Sequence, residues 1–515
     1  MYPGLHAADH PDKPAVIMGD PTVAPVTYRE LEQRSQQLAQ LLHSRGLRPG
    51  DGLAVLAENH VRYFEIYWAA IRSGLYLTAI NRHLSPDEAA YLVNDSGSTA
   101  LLTTAQMATT AGPMLELLVD CPMRFMVDGT EAGFESYESA VSEQPAKPLD
   151  AQPRGDVMLY SSGTTGRPKG IRRPPQDKAF DDPTIQGVST LERMLLGMDE
   201  NTVYLCPAPL YHSAALLWSA GVHEMGGTLV VMEKFDAAAF LRLVERERVT
   251  HSQVVPTMLV RMLKLPVEER MGHDVSSLRR LVHAAAPCPV EVKRRTIEWL
   301  GPIVDEYYAA TEGNGLTYLS SEQWLAHPGS VGRPIVGVPH ICDDQGVELP
   351  AGEIGLLYFE QPHAAFEYHG DTEKTRSTRH PVHDLWSTLG DIGYLDEDGY
   401  LYLTDRQAFT IISGGVNIYP AEIESRLIMH PDVADVAVFG LPDAEMGEYV
   451  HAVVQPADGV DGSPELSEEL RAYARAAIAP YKVPRVIDFH PELPRLATGK
   501  LAKRLLRDEY LEAPR

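Results

Sequence analysis

The sequence predicts an α/β protein with a large N-terminal domain of layered sheets and helices and a smaller α/β domain at its C-terminal end. Short apolar runs bounded by turn formers, typical of buried strands, recur at 52–59 (GLAVLAEN), 99–104 and 227–232 (GTLVVM). Helix-like stretches separate these runs, and such alternation favours layers of helices around mainly parallel sheets. With 515 residues, the chain exceeds the roughly 250–300 residues over which a single core grows. We therefore expect more than one domain.

The first helix is marked at both ends. Thr27 and Glu30 have the spacing of a capping box, in which each side chain accepts a hydrogen bond from the backbone of the other residue. Gly46 stands where such a helix would stop, because glycine adopts the left-handed conformation that ends many helices. The apolar positions between them are Leu31, Leu38, Leu41 and Leu42.

The last hundred residues have their own strands and helix. Segments 433–440 (VADVAVFG) and 450–455 are strand-like, and Ser463 followed by Pro464 is typical of a helix N-terminus. A boundary near 405–407 divides the chain into domains 1–405 and 406–515. The expected apolar face of the C-terminal helix carries Leu466, Leu470, Tyr473, Ala474 and Ala477.

The composition excludes several classes of protein. Lys and Arg total 45 against 71 Asp and Glu, a formal charge of −26, so we expect neither a nucleic-acid partner nor binding to an anionic membrane surface. No run reaches the roughly 18 apolar residues of a membrane span, and the first twenty residues lack a signal-peptide pattern. We expect a cytoplasmic protein. The four cysteines have no CxxC spacing and so indicate neither a disulfide framework nor a zinc site, and Cys206 and Cys288 are expected to be packing residues.

Segment 160–170, YSSGTTGRPKG, is the most informative part of the sequence. Glycines let backbone N–H groups approach an anion, hydroxyl groups add donors, and Lys169 supplies a positive charge. A solvated turn is the alternative, but it would not require Pro168 and Lys169 at these positions. The P-loop pattern GxxxxGK[ST] fails, because Pro168 occupies its second glycine position.

This segment resembles the phosphate loop of the acyl-adenylate-forming enzymes, which include acyl-CoA synthetases, luciferases and the adenylation domains of peptide synthetases. Six further segments resemble motifs of that family in the same order, so the resemblance covers nearly the whole chain. It implies a large N-terminal domain and a small mobile C-terminal domain. The six segments are 209–212 (PLYH), 283–288 (HAAAPC), 308–313 (YAATEG), 387–406 (STLGDIGYLDEDGYLYLTDR), 413–424 (SGGVNIYPAEIE) and 494–500 (PRLATGK).

The resemblance implies that a carboxylate attacks the α-phosphorus of ATP to give acyl-AMP, after which a thiol displaces AMP. Because this reaction concentrates negative charge, donors and a metal ion are needed to offset it. The loop residues implied to hold the β- and γ-phosphates are Ser161, Ser162, Gly163, Thr164, Thr165 and Lys169.

Further residues are implied in the nucleotide and metal sites. Glu312 would bind Mg²⁺ and Thr311 would face the α-phosphate, although a Thr-Glu pair alone would only indicate a helix start. Asp391 would accept both ribose hydroxyls, with Arg406 as a second contact. In its GDxG context Asp391 could equally be a turn former. Ala285, Ala286 and Tyr308 would line the nucleotide site.

The acyl site and the small domain also have implied residues. His212 would lie beside the acyl pocket, although a lone histidine is more often a structural residue. Lys500 would be the adenylation lysine, and Gly414 and Gly415 would line the pantetheine tunnel after the small domain rotates. The hinge position, commonly Asp or Lys in this family, is Ala408. Since a hinge needs only to absorb a backbone rotation, rotation stays expected.

These observations predict an ATP- and Mg²⁺-dependent acyl-CoA synthetase that activates a hydrophobic or aryl carboxylic acid and transfers the acyl group to CoA, as a monomer or homodimer. Two alternatives stay open. An amide synthetase would pass the same acyl-adenylate to an amine, and a binding protein of this fold would have lost catalysis. The second alternative predicts damage at Lys500, Glu312 or Asp391, and all three residues are intact.

Overall fold

The fold was analysed in a computed structural model of the chain. The structure describes residues 2–161, 168–173, 177–185, 187–443, 445–495 and 501–512. In chain order the strands are β1 (Pro14–Met18), β2 (Val26–Thr27), β3 (Gly52–Leu56), β4 (Tyr76–Ile80), β5 (Ser98–Thr104), β6 (Met123–Val127), β7 (Glu135–Ser136), β8 (Asp156–Val157), β9 (Leu159–Ser161), β10 (Lys169–Ile171), β11 (Val203–Cys206), β12 (Thr228–Val231), β13 (His251–Val254), β14 (Arg280–His283), β15 (Val304–Ala309), β16 (Leu316–Leu319), β17 (Arg333–Val336), β18 (Val338–Cys342), β19 (Gly355–Glu360), β20 (Trp386–Ser387), β21 (Asp391–Leu395), β22 (Leu401–Arg406), β23 (Ile411–Ser413), β24 (Val416–Ile418), β25 (Val433–Asp443), β26 (Gly447–Pro456) and β27 (Val486–Phe489).

Helices alternate with these strands through most of the chain. In order they are α1 (Pro3–Asp9), α2 (Tyr28–Ser44), α3 (Tyr63–Arg72), α4 (Pro86–Asp95), α5 (Ala108–Met114), α6 (Tyr137–Ser142), α7 (Val188–Leu196), α8 (Ser213–Met225), α9 (Ala237–Glu247), α10 (Pro256–Leu263), α11 (Val267–Met271), α12 (Val290–Leu300), α13 (Ser321–Ala326), α14 (Thr372–Ser377), α15 (Pro420–Leu427), α16 (Pro464–Arg475) and α17 (Lys503–Glu512).

Two mainly parallel sheets form the centre of the large domain, as the sequence predicts. The first has the order β17-β16-β15-β14-β13-β11-β12-β1-β2, with antiparallel pairs only toward its edges. The second, β7-β6-β5-β3-β4-β8, is parallel throughout. Every residue of α3 is buried, and apolar side chains of both sheets share one core with it. Its two charged residues, Glu65 and Arg72, are buried in ion pairs with Arg34 and Glu32.

Three smaller sheets lie beside these two, and one of them is the antiparallel pair β10-β9. An antiparallel sheet, β18-β19-β21-β22 with β20 beside β19, lies at the end of the large domain. The small domain has its own sheet, β24-β23-β26-β25, with β27 parallel to β26. The fold is therefore mixed α/β with a large N-terminal and a small C-terminal domain. Arg406 is the last residue of β22 in the sheet of the large domain.

The helix ends confirm most of the local predictions. Thr27 and Glu30 form the capping box of α2, whose four predicted leucines are buried, and Gly46 has a φ of +106°. Ser463 caps α16, and Leu466, Leu470 and Ala474 are buried along it. The prediction for Ala477 was wrong: α16 ends at Arg475, so Ala477 lies beyond it and is exposed.

Polar contacts hold the small domain against the large one. The Lys264 ammonium, at the end of α10, donates to the backbone carbonyls of His430 and Val433. Asp405 of β22 accepts a hydrogen bond of 3.0 Å from the backbone N–H of Ala421 in the first turn of α15. Among the helices in the described ranges, none has the length and apolarity needed to cross a membrane.

Candidate active site

The candidate site lies where parallel strands of the nine-stranded sheet end. The carboxyl ends of β13, β14 and β15 lie side by side, and ligands of α/β proteins bind in the crevice outside such ends. Ala285 and Ala286 follow β14, and Thr311 and Glu312 form a turn after β15. Four residues that the sequence predicts for one site therefore stand at the same sheet edge.

Asp391 joins two of the sheets. It lies directly opposite Arg406 in the register of β21 and β22, and its Oδ1 accepts a hydrogen bond of 3.0 Å from Arg406 Nε. Its Oδ2 accepts a hydrogen bond of 2.6 Å from the hydroxyl of Tyr308, on β15. Burial and the Asp391 carboxylate raise the pKa of Tyr308, and the same carboxylate raises the pKa of Arg406. Tyr308 thus stays protonated and Arg406 charged.

This arrangement bears on the alternative that Asp391 is a turn former. The residue begins strand β21 and is buried, so the turn interpretation is wrong. An ionised carboxylate accepts about four hydrogen bonds, and Arg406 and Tyr308 donate one to each oxygen. Acceptor capacity is left on both oxygens, as the binding of two adjacent hydroxyl groups requires.

Glu312 offers a second buried carboxylate in the same crevice. Its Oε1 accepts a hydrogen bond of 3.0 Å from the Tyr368 hydroxyl, while Oε2 has no hydrogen-bond partner among the described residues. Burial and Glu312 together raise the pKa of Tyr368, so this hydroxyl stays a donor. A carboxylate fixed through one oxygen, with the other available, fits a hard divalent cation such as Mg²⁺.

Lys169 lies on β10, antiparallel to β9 and opposite Ser161 in its register. Its ammonium contacts Asp371 Oδ2 at 2.5 Å and stands 5.7 Å from the centre of the Tyr368 ring. Asp371 also caps α14, accepting a hydrogen bond of 2.8 Å from the backbone of Lys374. The hydrogen bond from Lys169 lowers the pKa of the Asp371 carboxyl.

Ala285 has a strained backbone. Its φ is +73°, in the left-handed region that costs a non-glycine residue roughly 1–2 kcal/mol. Both Ala285 and Ala286 are exposed, although His283 and Ala284 before them are buried. Strained residues of this kind cluster at functional sites, and this one follows the carboxyl end of β14.

The remaining predicted residues fall at several places. His212 is the half-buried N-cap residue of α8, and Thr311 lies in the turn after β15 rather than at a helix start. Gly414 and Gly415 form the exposed tip of the β23–β24 hairpin, with φ values of +57° and +78°. The predicted residues outside the described ranges are Ser162, Gly163, Thr164, Thr165 and Lys500.

Two residues of the crevice were missed by sequence reasoning. Tyr368 and Asp371 approach Glu312 and Lys169 through the chain that follows β19, far away in sequence. The sequence around Asp371 carries only a local signal, because Asp371 lies three residues before Lys374, as a helix-capping residue does. That signal predicts a helix start and says nothing about a partner 202 residues away.

The layered sheets and the crevice with its two buried carboxylates define a class of protein, the acyl-adenylate-forming enzymes. The chain belongs to the AMP-binding enzyme family: residues 5–369 match the family itself and residues 422–500 match its C-terminal domain. The resemblance drawn from the sequence is thereby confirmed. The chain is an enzyme of the group to which AMP-forming carboxylic acid–CoA ligases belong, and it uses ATP.

Known proteins are similar over almost the entire chain. A fatty acid–[acyl-carrier-protein] ligase of Streptomyces coeruleorubidus is 32% identical, covering 98% of this chain and 95% of that protein. A feruloyl-CoA synthase of an Amycolatopsis species is 34% identical, covering 94% of each. Among solved structures, an amide bond synthetase of Marinactinospora thermotolerans superposes with a TM-score of 0.79 at 28% identity, over 99% of both chains.

Proposed function

We propose that this protein is an ATP- and Mg²⁺-dependent acyl-CoA synthetase that activates a hydrophobic or aryl carboxylic acid. The observation that carries the proposal is the Asp391 carboxylate, held between Arg406 and Tyr308 with acceptor capacity left on both oxygens. That geometry suits the two adjacent hydroxyls of a ribose. The similarity to a fatty acid ligase and a feruloyl-CoA synthase supports the acid class.

In the first half-reaction the substrate carboxylate attacks the α-phosphorus of ATP, and pyrophosphate leaves. Thr311 would donate to the α-phosphate, while Lys169 and the loop 161–165 would hold the β- and γ-phosphates. Glu312 would hold Mg²⁺, which supplies charge neutralisation when bound. Lys500 would offset the charge that develops between the carboxylate and the α-phosphate.

In the second half-reaction the thiol of CoA attacks the acyl carbonyl carbon, and AMP leaves. We propose that the chain after Ala408 rotates as the small domain between the two steps, so that Gly414 and Gly415 come to line the path of the pantetheine arm. Their exposed position at a hairpin tip supports this role. The free thiols of the protein support a cytoplasmic location.

The acceptor is the point at which relatives differ, since an amide synthetase shares the fold. The test is to incubate the purified protein with ATP, Mg²⁺ and a panel of fatty, aryl and steroid-like acids. Pyrophosphate release should depend on the acid. AMP release should then accelerate with CoA, and mass spectrometry should show the thioester.

Other outcomes identify the alternatives. Acceleration by amines with formation of an amide, or by an acyl carrier protein but not by CoA, would overturn the choice of acceptor and keep the adenylate. Absence of acid-dependent pyrophosphate release across the panel would favour a non-catalytic protein. Asp391→Asn is the matched control, because activity that depends on this site should fall in that variant.

A further inference from the structure

A carboxyl group without a hydrogen-bond partner is buried between α7 and α8. The Glu192 side chain, on α7, is fully buried, and neither of its carboxyl oxygens has a hydrogen-bond partner within the part of the chain that the structure describes. It packs against Gly221 of α8 so closely that a Cβ atom on that glycine would lie 2.1 Å from Oε2. Burying such a group without a partner is unfavourable. Its persistence suggests that a ligand supplies the partner.

A second buried glutamate at the same helix interface has partners for its carboxylate. Glu224 of α8 is also buried, but its carboxylate pairs with Arg154 at 3.2 Å and accepts a hydrogen bond from the Ser189 hydroxyl. Ser189 precedes Glu192 by three residues, so the two glutamates lie one helical turn apart along this interface. The fold therefore satisfies one of the two carboxyls and leaves the other unpaired.

An aromatic pair connects Glu192 to the candidate active site. Trp218, three residues before Gly221 and on the same face of α8, stacks on Tyr307 of β15 with ring centres 5.2 Å apart and planes at 16°. The Tyr307 hydroxyl accepts a hydrogen bond from Gln253. Burial raises the pKa of Tyr307, and the Glu192 carboxyl adds to this shift.

The same strand leads to the reacting centre. Tyr307 precedes Thr311 by four residues along β15 and the turn after it, a distance of about 13 Å at most. The Trp218 side chain is half-buried, whereas the Glu192 side chain is fully buried. Contacts therefore run from Glu192 to Gly221 on α8, and from Trp218 on the same face of α8 to Tyr307 on the strand that leads to Thr311.

We propose that Glu192 is a specificity-determining residue, and that the acid substrate carries a hydrogen-bond donor, a hydroxyl or an amino group, at the end remote from its carboxylate. The inference rests on the proposed function. A carboxyl group has more acceptor than donor positions in either protonation state, so a donor on the ligand can pair with it whether or not it is ionised. The substrate reaches the Glu192 carboxyl when the Trp218 side chain moves aside.

The test measures the activity of wild type and of two Glu192 variants on the same set of acids. The probes are aryl acids with a para-hydroxyl or para-amino group and their para-methyl and unsubstituted analogues, assayed by ATP–pyrophosphate exchange. Burial raises the pKa of Glu192 well above its usual value, so the carboxyl is neutral, and wild type should favour the donor-bearing acids in kcat/KM by about 2- to 12-fold, the range of a hydrogen bond between neutral groups. Glu192→Leu should lose this preference while the KM for ATP stays unchanged. Glu192→Gln, whose amide still accepts, should keep most of it.

Stability provides a readout independent of activity. Because Glu192 has no hydrogen-bond partner to lose, Glu192→Leu should unfold at or above the wild-type Tm, whereas Glu224→Gln should lower the Tm and leave the preference among acids intact. A clear fall in Tm for Glu192→Leu, or equal use of all four acids by wild type, would overturn the inference and leave the proposed function standing. Absence of exchange with any acid, by a folded wild-type protein, would overturn the proposed function itself.

Discussion

The Lys169 ammonium lies 2.5 Å from the Asp371 carboxylate, an ion pair that links β10, at the end of the phosphate loop, to the N-terminus of α14. Asp371 is thereby fixed by two interactions, since it also caps that helix. A nucleotide phosphate that Lys169 is to bind must compete with this carboxylate. Both side chains are partly solvent-accessible, and such ion pairs contribute roughly 0–1 kcal/mol. A polyanion such as ATP can therefore displace the Asp371 carboxylate from Lys169.

Because ATP and Asp371 compete for Lys169, substitutions of Lys169 and of Asp371 should have different effects on the KM for ATP. Lys169→Ala should raise the KM for ATP in ATP–pyrophosphate exchange, because the charge that holds the phosphates is lost. Asp371→Asn keeps a capping side chain on α14 but frees the ammonium, so the KM for ATP should stay equal or fall by up to about 5-fold. Steady-state kinetics with varied ATP measure both. Exchange by Lys169→Ala that matches wild type would remove Lys169 from the nucleotide site.

Glu312 is predicted to set the requirement for Mg²⁺. Glu312→Gln keeps the shape of the side chain but removes the charge that a hard cation prefers, so the Mg²⁺ concentration giving half-maximal exchange should rise and the maximal rate should fall. Tyr368→Phe is the matched control, because it removes the hydrogen bond to Glu312 and leaves the charge. Titration of Mg²⁺ against both variants separates the two effects. A wild-type Mg²⁺ titration in Glu312→Gln would contradict the metal role.

Asp391 is predicted to recognise the ribose hydroxyls. In Asp391→Ala, kcat/KM for ATP should fall by about 10- to 150-fold, as hydrogen bonds to a charged group contribute about 1.5–3 kcal/mol. Wild type should discriminate against 2′,3′-dideoxy-ATP, and the variant should use both nucleotides almost equally. Tyr308→Phe removes a donor to Asp391 and should cost less. If Asp391→Ala still discriminates between ATP and 2′,3′-dideoxy-ATP, the ribose binds elsewhere.

His223 is predicted to make the stability fall in acid. It is fully buried, its Nδ1 accepts from Trp68 at 3.3 Å and its Nε2 faces the Ala15 carbonyl at 3.1 Å, so only the neutral ring satisfies both contacts. Burial lowers the pKa of His223 from 6.5 to about 4. Between pH 6.5 and about 4 the imidazole of His223 is therefore protonated in the unfolded chain but not in the folded one. The free energy of unfolding accordingly decreases as the pH falls below about 6.5.

The measurement is the free energy of unfolding between pH 7.5 and 5. At pH 5 the contribution of His223 alone reaches about 2 kcal/mol, from 1.36 kcal/mol for each pH unit below 6.5. His223→Gln, which can still donate and accept, should flatten the profile by that amount. The exposed His10 supplies the control, because His10→Gln should leave the slope unchanged. Parallel profiles for wild type and His223→Gln would contradict the prediction.

Sequence patterns could predict what depends on neighbours along the chain. The capping box at Thr27, the cap at Ser463 and the buried strands at 52–59 and 99–104 all follow from local spacing. The α/β class follows from their alternation. The limit of such reasoning shows at Ala477, where the apolar pattern continues but the helix has ended.

Contacts between distant segments could not be predicted in this way. Nothing near Glu192 in sequence indicates that it is left without a partner, because that depends on Gly221 of another helix and on Arg154 pairing with Glu224 instead. The pairing of Asp371 with Lys169 likewise depends on the segment before α14 lying alongside β10, where the His369 N–H donates to the Gly170 carbonyl. For Asp391 the resemblance to a family supplied an expected role, whereas for Glu192 and Asp371 no pattern in the sequence indicated their contacts.

The last prediction concerns Lys500 and the rotation of the small domain. If Lys500 acts only while the small domain is closed over ATP, its ammonium contributes to the first half-reaction alone. Lys500→Ala should therefore lose acyl-AMP formation by about 10²–10³-fold, the effect of removing one such donor. The same variant should convert supplied acyl-AMP and CoA to the thioester at nearly the wild-type rate. Single-turnover assays of each half-reaction measure the two effects separately.

Lys503, three residues further along the chain, provides the matched control. Its ammonium lies 2.7 Å from Glu424, and Glu424 in turn accepts a hydrogen bond of 2.7 Å from the backbone N–H of Val438, so this lysine holds the small domain together. Because burial raises the pKa of Glu424 while Lys503 opposes that shift, Lys503→Met should lower the Tm and slow both half-reactions alike. Equal losses of both half-reactions in Lys500→Ala, together with a lowered Tm, would instead assign Lys500 a structural role and contradict a rotation that separates the two steps.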